Sequence, residues 1–237
     1  MQIAAGICTY ASSHLLKRCL ESMKGLTDLN IVIHGRFRGF PNVMPYSESV
    51  SATIKAIEDY SNITFVEEEE PVDEEDGLRT QAHHRNRYLE IARKEGIEWL
   101  IVVDDDEYVI RPRTDVQKVR HNLESLRRDI DSQPERNRFF LYNVASVQTE
   151  DEELPTRYVW YRPRMMYEPG YFQYLHSAHY HLRDPIGRIY KGHPGHSLIQ
   201  DLYFRHDQDA NDAMRLAEYM DAKRKYMQWQ RINESDS

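Results

Sequence analysis

The fold is decided by residues 98–107, which read EWLIVVDDDE. Five apolar residues in succession, three of them β-branched, predict a strand buried on both faces of a mainly parallel sheet. Four acidic residues follow at once, and their mutual repulsion lowers stability unless a cation screens it. Ligands of open α/β sheets bind beyond the carboxyl ends of the strands, where these acids lie. The stretch therefore indicates a cation site at the end of a central strand, with a solvated acidic turn as the alternative.

The spacing of the acids indicates which cation they suit. Side chains alternate along an extended strand, so Asp104 and Asp106 are expected to point one way and Asp105 the other. Two carboxylates on one side supply hard oxygen ligands, which suit Mg²⁺ or Mn²⁺.

The chain around this stretch alternates between strand and helix patterns. Before it, apolar runs predict strands at 3–10, 29–34 and 63–66, and helical spacing predicts helices at 12–25, 50–60 and 80–96. After it, the patterns predict a helix at 116–130, strands at 138–147 and 198–204, an aromatic, strand-rich region at 158–175 and a terminal helix at 209–230. Strands joined by helices at this spacing form right-handed βαβ units, so the fold class is α/β and doubly wound.

Composition bounds the function. The chain has 237 residues and a net charge of −8, which argues against non-specific binding of nucleic acid. The acidic block 67–76 (EEEEPVDEED) predicts a solvated loop. No apolar run is long enough for a membrane helix, and no basic region precedes an apolar stretch as in a signal peptide. The two cysteines, Cys8 and Cys19, are expected to be reduced thiols, which favours a cytoplasmic protein.

Several short motifs occur in a familiar order. They are Cys8-Thr9-Tyr10 with the helix end CLESM at 19–23, RNRYLEIA at 85–92, VDDDE at 103–107, RPRMMY at 162–167, Pro169-Gly170 and His176. This ordered set resembles the family 2 nucleotide-sugar glycosyltransferases with the GT-A fold. In two places the chain departs from that family. His34-Gly35-Arg36 stands where the family often has an aspartate that contacts the base, and His176-Ser177 replaces a His-Glu pair.

The resemblance implies an architecture. We expect a GT-A (Rossmann-like) three-layer sandwich with a mostly parallel central sheet and a C-terminal helix. A single domain would cover 1–237, with a nucleotide-binding half at 1–110, an acceptor-side half at 111–206 and the helix at 207–237.

The resemblance also implies roles for individual residues, around Mn²⁺ or Mg²⁺ and a UDP- or GDP-sugar donor. Asp106 would be the principal metal ligand, and Asp104 would bind the ribose or share the metal, with His206 as a third ligand. The residues expected to contact the donor are Thr9, Tyr10, His34, Arg36, Arg85, Asp104, Asp105 and His176. The candidates for the catalytic base are Asp184, which is favoured slightly, Glu168 and Asp201.

Three functions remain open on the sequence. The first is a metal-dependent glycosyltransferase that uses a nucleotide-sugar donor and a glycan, protein or small-molecule acceptor. The second is a sugar-phosphate nucleotidyltransferase, which normally has a Gly-rich basic loop after the first strand, whereas 11–14 reads ASSH. The third is a non-catalytic GT-A-like binding module, which the missing Glu after His176 favours.

Overall fold

The computed structural model describes residues 1–36, 44–68, 81–147, 159–175, 181–191 and 198–206. The first elements are β1 (Ile3–Thr9), α1 (Ser13–Met23), β2 (Leu29–His34), α2 (Tyr46–Ile57), β3 (Ile63–Glu67), α3 (Gln81–Lys94) and β4 (Trp99–Asp104). There follow β5 (Glu107–Val109), α4 (Val116–Asp131), β6 (Leu141–Val147), β7 (Val159–Tyr167), β8 (Gln173–Tyr174), β9 (His181–Arg183), β10 (Ile189–Lys191) and β11 (Leu198–His206).

The central sheet has eight strands in the order β3-β2-β1-β4-β7-β6-β11-β5. The strands β1 to β4 are parallel to one another, β7 is antiparallel to both β4 and β6, and β11 is parallel to β6 and antiparallel to β5. Only Asp105 and Asp106 connect β4 to β5, although three strands lie between these two in the sheet. The sheet must therefore curl, so that its last strand returns to the end of β4. This architecture confirms the predicted Rossmann-like α/β fold.

The core lies around β1 and β4, as the apolar run at 99–103 predicts. All five of these β4 residues are buried, and β1 is buried over almost its whole length. The helix α3 packs closely on β1 because Gly6 has no side chain: a Cβ there would lie 2.8 Å from the Tyr88 ring. Tyr88 itself is completely buried. The close approach of α3 brings its polar residues near the carboxyl edge of the sheet.

Most element boundaries agree with the sequence patterns, and a few differ for local reasons. Strand β2 has the predicted bounds, whereas α2 begins at Tyr46, directly after Pro45, and not near residue 50. Proline is tolerated at the start of a helix, where no N–H is needed for an intrahelical bond. The residues Gln173–Tyr174, His181–Arg183 and Ile189–Lys191 form a separate three-stranded sheet, which the patterns did not indicate.

The terminal helix predicted at 209–230 lies outside the described residues. In the part of the chain that the structure describes, no helix combines the length and apolar character needed to span a bilayer. Cys8 and Cys19 are free thiols, as expected.

Candidate active site

The candidate site lies at the carboxyl edge of the central sheet, between β1 and β4. The chain adds β2 and β3 on one side of β1 and then crosses to place β4 on the other side. This reversal is the switch point at which open α/β sheets bind ligands. Cys8 pairs with Asp104 in register, so the ends of the two strands meet there. We call the four acidic residues 104–107 the acid turn, because the structure has a turn at 105–106.

The geometry of the acid turn differs from that of an extended strand. Because β4 ends at Asp104, side-chain alternation does not extend to Asp106. Each acid instead has its own surroundings. Asp104 faces α3, and Asp105 faces the end of β1.

Asp104 lies beside two guanidinium groups. One of its oxygens, Oδ1, accepts a hydrogen bond from Arg85 Nη2 at 2.7 Å, and the other, Oδ2, is 3.9 Å from Arg164 Nη2. Arg85 is only 4% exposed, and the side chain of Arg164 is 11% exposed. Buried charges need counterions, so these two arginines and the acids hold one another in place.

Glu107 is the most buried member of the acid turn. It accepts a hydrogen bond from the backbone N–H of Asp104 at 3.0 Å and one from Arg164. Burial raises the pKa of Glu107 to about 7, and the Arg164 guanidinium opposes that rise. Arg164 also donates to the carbonyl of Val102 at 3.1 Å. These contacts tie β7 to the β4–β5 turn, and they give Glu107 a structural role.

Asp105 connects the acid turn to the end of β1. Its carboxylate accepts a hydrogen bond from the Ser12 hydroxyl. Burial and the neighbouring Asp106 raise the pKa of Asp105 to about 7, while hydrogen bonds from Ser12 and Thr9 oppose the rise. Ala11, next to Ser12, has a φ of 57°, a strained conformation for a residue with a side chain. Such strain collects at functional sites, which supports a role for this turn.

His34 and Tyr10 lie side by side at the ends of β2 and β1. The His34 ring is fully buried, its Nε2 is 2.8 Å from Ser49 Oγ, and burial lowers its pKa to about 4. Its ring centroid is 5.9 Å from that of Tyr10 and 5.1 Å from that of Tyr46. The Ser49 hydroxyl also accepts from the backbone N–H of Ala11 at 2.9 Å. A neutral histidine in an aromatic cluster thus supports the β1 turn.

Arg85 belongs to a buried network that reaches the small sheet. Its Nη1 donates to the Tyr88 hydroxyl at 3.3 Å, and its guanidinium lies 5.7 Å from the centroid of the Tyr174 ring. The hydroxyls of Tyr88 and Tyr174 are 3.3 Å apart. The Asn86 side chain exchanges two hydrogen bonds, of 3.0 and 2.8 Å, with the backbone of Tyr174. The acid turn is therefore joined through α3 to β8.

Three other predicted residues lie at or near the described boundary. Arg36 follows Gly35 after β2 and is half-buried. The backbone of His206 pairs with Glu107 in the β11–β5 register, which brings residue 206 to the acid turn. The structure describes only the backbone of this histidine. His176 lies outside the described residues.

Glu168, one of the three candidate bases, lies at the other end of β4. Its backbone N–H donates to the carbonyl of Glu98 at 2.9 Å, just before β4 begins. Asp104 is six residues further along, or about 20 Å at roughly 3.3 Å per residue. Burial raises the pKa of Glu168, as a general base requires, but its position separates it from the acid turn.

Asp184, the favoured candidate, stabilises the β9–β10 hairpin. It is 2% exposed, and its carboxylate accepts from the backbone N–H groups of Ile186 at 3.1 Å and Arg188 at 2.8 Å. It also accepts from Arg188 Nε at 2.5 Å and from the Tyr190 hydroxyl at 3.2 Å. A carboxylate with four donors in one turn has a structural explanation without any substrate.

Asp201, the remaining candidate, forms an ion pair with Lys118 at 3.0 Å. It has a φ of 62° and lies where the β11–β6 register shifts, five residues before His206. The structure thus brings Thr9, Tyr10, His34, Arg85, Asp104, Asp105 and Asp106 together at one edge. Of the three candidate bases, Glu168 lies at the other end of β4, and Asp184 and Asp201 form ion pairs with Arg188 and Lys118.

The acid turn fits a divalent cation only in combination with a ligand. Among the described residues, no three His, Cys, Asp or Glu side chains form a set that could hold a metal. Mg²⁺, however, is commonly bound by one or two carboxylates together with substrate phosphates. The carboxylates of the acid turn lie at the switch point, and even one of them, completed by phosphate oxygens, has the donor chemistry that fits Mg²⁺ or Mn²⁺.

Sequence patterns missed the residues that support these acids. Ser12 was expected only as a helix cap, yet its hydroxyl makes no cap hydrogen bond and binds Asp105. Ser49, Tyr88 and Tyr174 gave no local signal, because their contacts join residues far apart in the chain. Glu107 could have been found, since a fourth acid directly after a metal-type motif needs a counterion.

Fold and site together define a Rossmann-like α/β protein with an acid turn at its switch point. No protein-family model matches the sequence, and no curated protein matches it. The chain is similar to one solved structure, mannose-1-phosphate geranyltransferase from Thermus thermophilus, among others, with 17% sequence identity and a TM-score of 0.37. The match covers 71% of this chain and 51% of that one, so the chain spans about half the length of that structure. A similarity of this size assigns neither a family nor an activity.

Proposed function

We propose that the chain is a metal-dependent transferase that acts on a nucleoside diphosphate-sugar, with glycosyl transfer to a glycan, protein or small-molecule acceptor as its reaction. One observation carries the proposal: the acid turn ends β4 at the switch point, directly beside the end of β1. A dense group of carboxylates at this position is explained if the carboxylates bind a cation together with a phosphorylated ligand.

In this proposal the residues divide by position. Thr9 and Tyr10, at the end of β1, would contact the nucleoside, with His34 as neutral support. Asp106 would hold Mn²⁺ or Mg²⁺ together with His206, whose backbone pairs with the next residue, Glu107. A bound divalent cation would neutralise charge that develops on the leaving diphosphate. The acceptor hydroxyl also needs a base. The contacts of Glu168, Asp184 and Asp201 favour none of the three for this role, and a group outside the described residues could equally supply it.

A second reaction would use the same edge of the sheet. In sugar-phosphate nucleotidyl transfer, a sugar phosphate attacks a nucleoside triphosphate and pyrophosphate leaves. The name of the similar solved structure includes a sugar phosphate, mannose-1-phosphate, and so is closer to this reaction than to glycosyl transfer, but a similarity of that size decides neither. The segment 11–14, which reads ASSH, is not the Gly-rich, basic loop that cradles a triphosphate, which favours the first reaction.

Product analysis distinguishes the two reactions. The protein is incubated with Mn²⁺ and UDP- or GDP-sugars, and in parallel with nucleoside triphosphates and sugar phosphates. We expect slow release of UDP or GDP in the first set and no pyrophosphate in the second. Asp106→Ala should abolish the release, while Asp59→Ala, at a well-exposed aspartate, should not change it. Pyrophosphate release would reverse the order of the two proposals. Nucleotide binding without any turnover would favour a binding module.

A further inference from the structure

Arg85 and Asp104 form an ion pair, with the guanidinium buried and the carboxylate partly exposed, that changes the roles expected from the sequence. The resemblance implies that Arg85 contacts the donor and that Asp104 binds the ribose or shares the metal. In the structure, Arg85 Nη2 lies 2.7 Å from Asp104 Oδ1, and Arg85 is 4% exposed. The guanidinium is directed at the acid turn and not towards solvent.

We propose that Arg85 is a positioning residue that neutralises Asp104 and fixes the acid turn, so that Asp104 is not a cation ligand and Asp106 is. This inference rests on the proposed function, because it divides the acids of the same site between two tasks. It assigns to Arg85 a role in orienting the site without contact to the donor.

The surroundings of Arg85 keep its guanidinium in place. It donates to the Tyr88 hydroxyl at 3.3 Å and lies 5.7 Å from the ring centroid of Tyr174. Tyr174 is in turn fixed by two backbone hydrogen bonds to the Asn86 side chain. A swing of Arg85 towards a phosphate would break these contacts and leave Asp104, whose side chain is 31% exposed, without its 2.7 Å counterion.

The surroundings of Asp104 disfavour a cation on its carboxylate. Its Oδ1 faces Arg85, and its Oδ2 lies 3.9 Å from Arg164 Nη2. Arg164 is fixed by Glu107 and by the carbonyl of Val102. A divalent cation bound to Asp104 would thus lie close to two positive charges, which repel it. Asp106 is the second residue of the turn, and the next residue, Glu107, pairs with the backbone of residue 206.

Manganese binding to four variants tests the proposal. Free Mn²⁺ is measured by electron paramagnetic resonance with and without UDP or GDP, for Asp104→Asn, Asp106→Asn, Arg85→Met and the double variant Arg85→Met/Asp104→Asn. We expect Asp106→Asn to weaken Mn²⁺ binding at least tenfold. The double variant keeps the net charge of the site and should remain within about threefold of the wild type. Arg85→Met alone should bind Mn²⁺ several-fold more tightly without nucleotide, because it removes a repelling charge.

Two results would overturn the inference. A tenfold loss in the double variant would show that Asp104 is a ligand. A loss of nucleotide affinity in Arg85→Met, with Mn²⁺ affinity unchanged, would show that Arg85 contacts the donor. If Arg85→Met does not fold, the comparison of Asp104→Asn with Asp106→Asn decides, and equal losses contradict the proposal.

Unfolding in urea separates this inference from the proposed function. The double variant should be destabilised by less than the sum of the losses in Arg85→Met and Asp104→Asn, and the difference should correspond to a coupling of at least tenfold in the unfolding equilibrium constant. A coupling below twofold would overturn the positioning role. If the wild type binds no Mn²⁺ with either nucleotide, the proposed function and the division of the acids both fail, and the coupling still decides the role of Arg85.

Discussion

Gly6→Ala tests whether the packing of α3 on β1 determines the stability of the site. A Cβ at position 6 would lie 2.8 and 2.9 Å from two atoms of the Tyr88 ring, whereas ordinary contacts begin at 3.4 Å. The ring would have to move by at least 0.6 Å, which is 3.4 minus 2.8. It cannot do so freely, because its hydroxyl lies 3.3 Å from both Arg85 and Tyr174. Overpacking of this kind costs about 1–3 kcal/mol.

The free energy of unfolding in urea and the melting temperature measure this effect. At about 2 kcal/mol, we expect Tm to fall by roughly 4–8 °C in a chain of this size. Gly96→Ala is the control: its φ is +66°, and among the described residues, its own chain neighbours apart, no atom lies within 4 Å of the Cβ position. It should lower stability by about 1 kcal/mol through backbone conformation alone.

A double-mutant cycle shows whether the steric explanation holds. In a Tyr88→Leu background the ring is absent, so Gly6→Ala should cost clearly less than in the wild type, whereas Gly96→Ala should cost the same in both. The explanation is refuted if Gly6→Ala costs less than about 0.5 kcal/mol, or if its cost is equal in the two backgrounds.

Three further changes test other parts of the structure. Asp184→Ala should lower the free energy of unfolding in urea by about 3 kcal/mol, because Arg188 loses its buried partner, and should leave Mn²⁺–nucleotide affinity unchanged; a loss of that affinity in a folded variant would restore Asp184 as a site residue. For Asp105, the folded pKa of about 7 lies above the value near 4 of an unfolded aspartate, so it contributes a loss of wild-type stability as the pH rises from about 4 to 7. Asp105→Asn removes this ionisation. Without metal, the free energy of unfolding of the variant minus that of the wild type should therefore be larger at pH 8 than at pH 5, and equal values at the two pH values would contradict the raised pKa. Ala11→Gly should change stability by less than about 0.5 kcal/mol, whereas the β-branched Ala11→Val should cost at least about 1 kcal/mol at a φ of 57°, and equal stabilities by urea unfolding would contradict the strain at this turn.

The sequence predicted the parts of the fold that depend on local patterns. Uninterrupted apolar residues at 99–103 identified β4, and the bounds of β2 agree residue for residue. The acids after β4 also fixed the edge of the sheet at which the candidate site lies, because parallel strands end together. These features repeat over a few residues, so the sequence displays them directly.

The contacts inside the site could not be predicted in the same way. Helical spacing places Arg85 on α3 but does not show that Gly6 lets α3 approach β1 and that the guanidinium is consequently buried against Asp104. The turn at 105–106 ended the side-chain alternation expected for an extended strand. Asp184 was favoured because it lies in a turn, and the structure shows that the turn itself uses its carboxylate.

The central claim is that the acid turn holds a divalent cation beside a nucleoside diphosphate. Diffraction from a crystal soaked with MnCl₂ and UDP or GDP, measured at the manganese absorption edge, tests it most directly. We expect one anomalous peak next to the Asp106 carboxylate, in contact with the diphosphate, and no peak in the same experiment on Asp106→Asn. A nucleotide bound elsewhere, or an acid turn without manganese while the wild-type crystal contains both ligands, would contradict the claim.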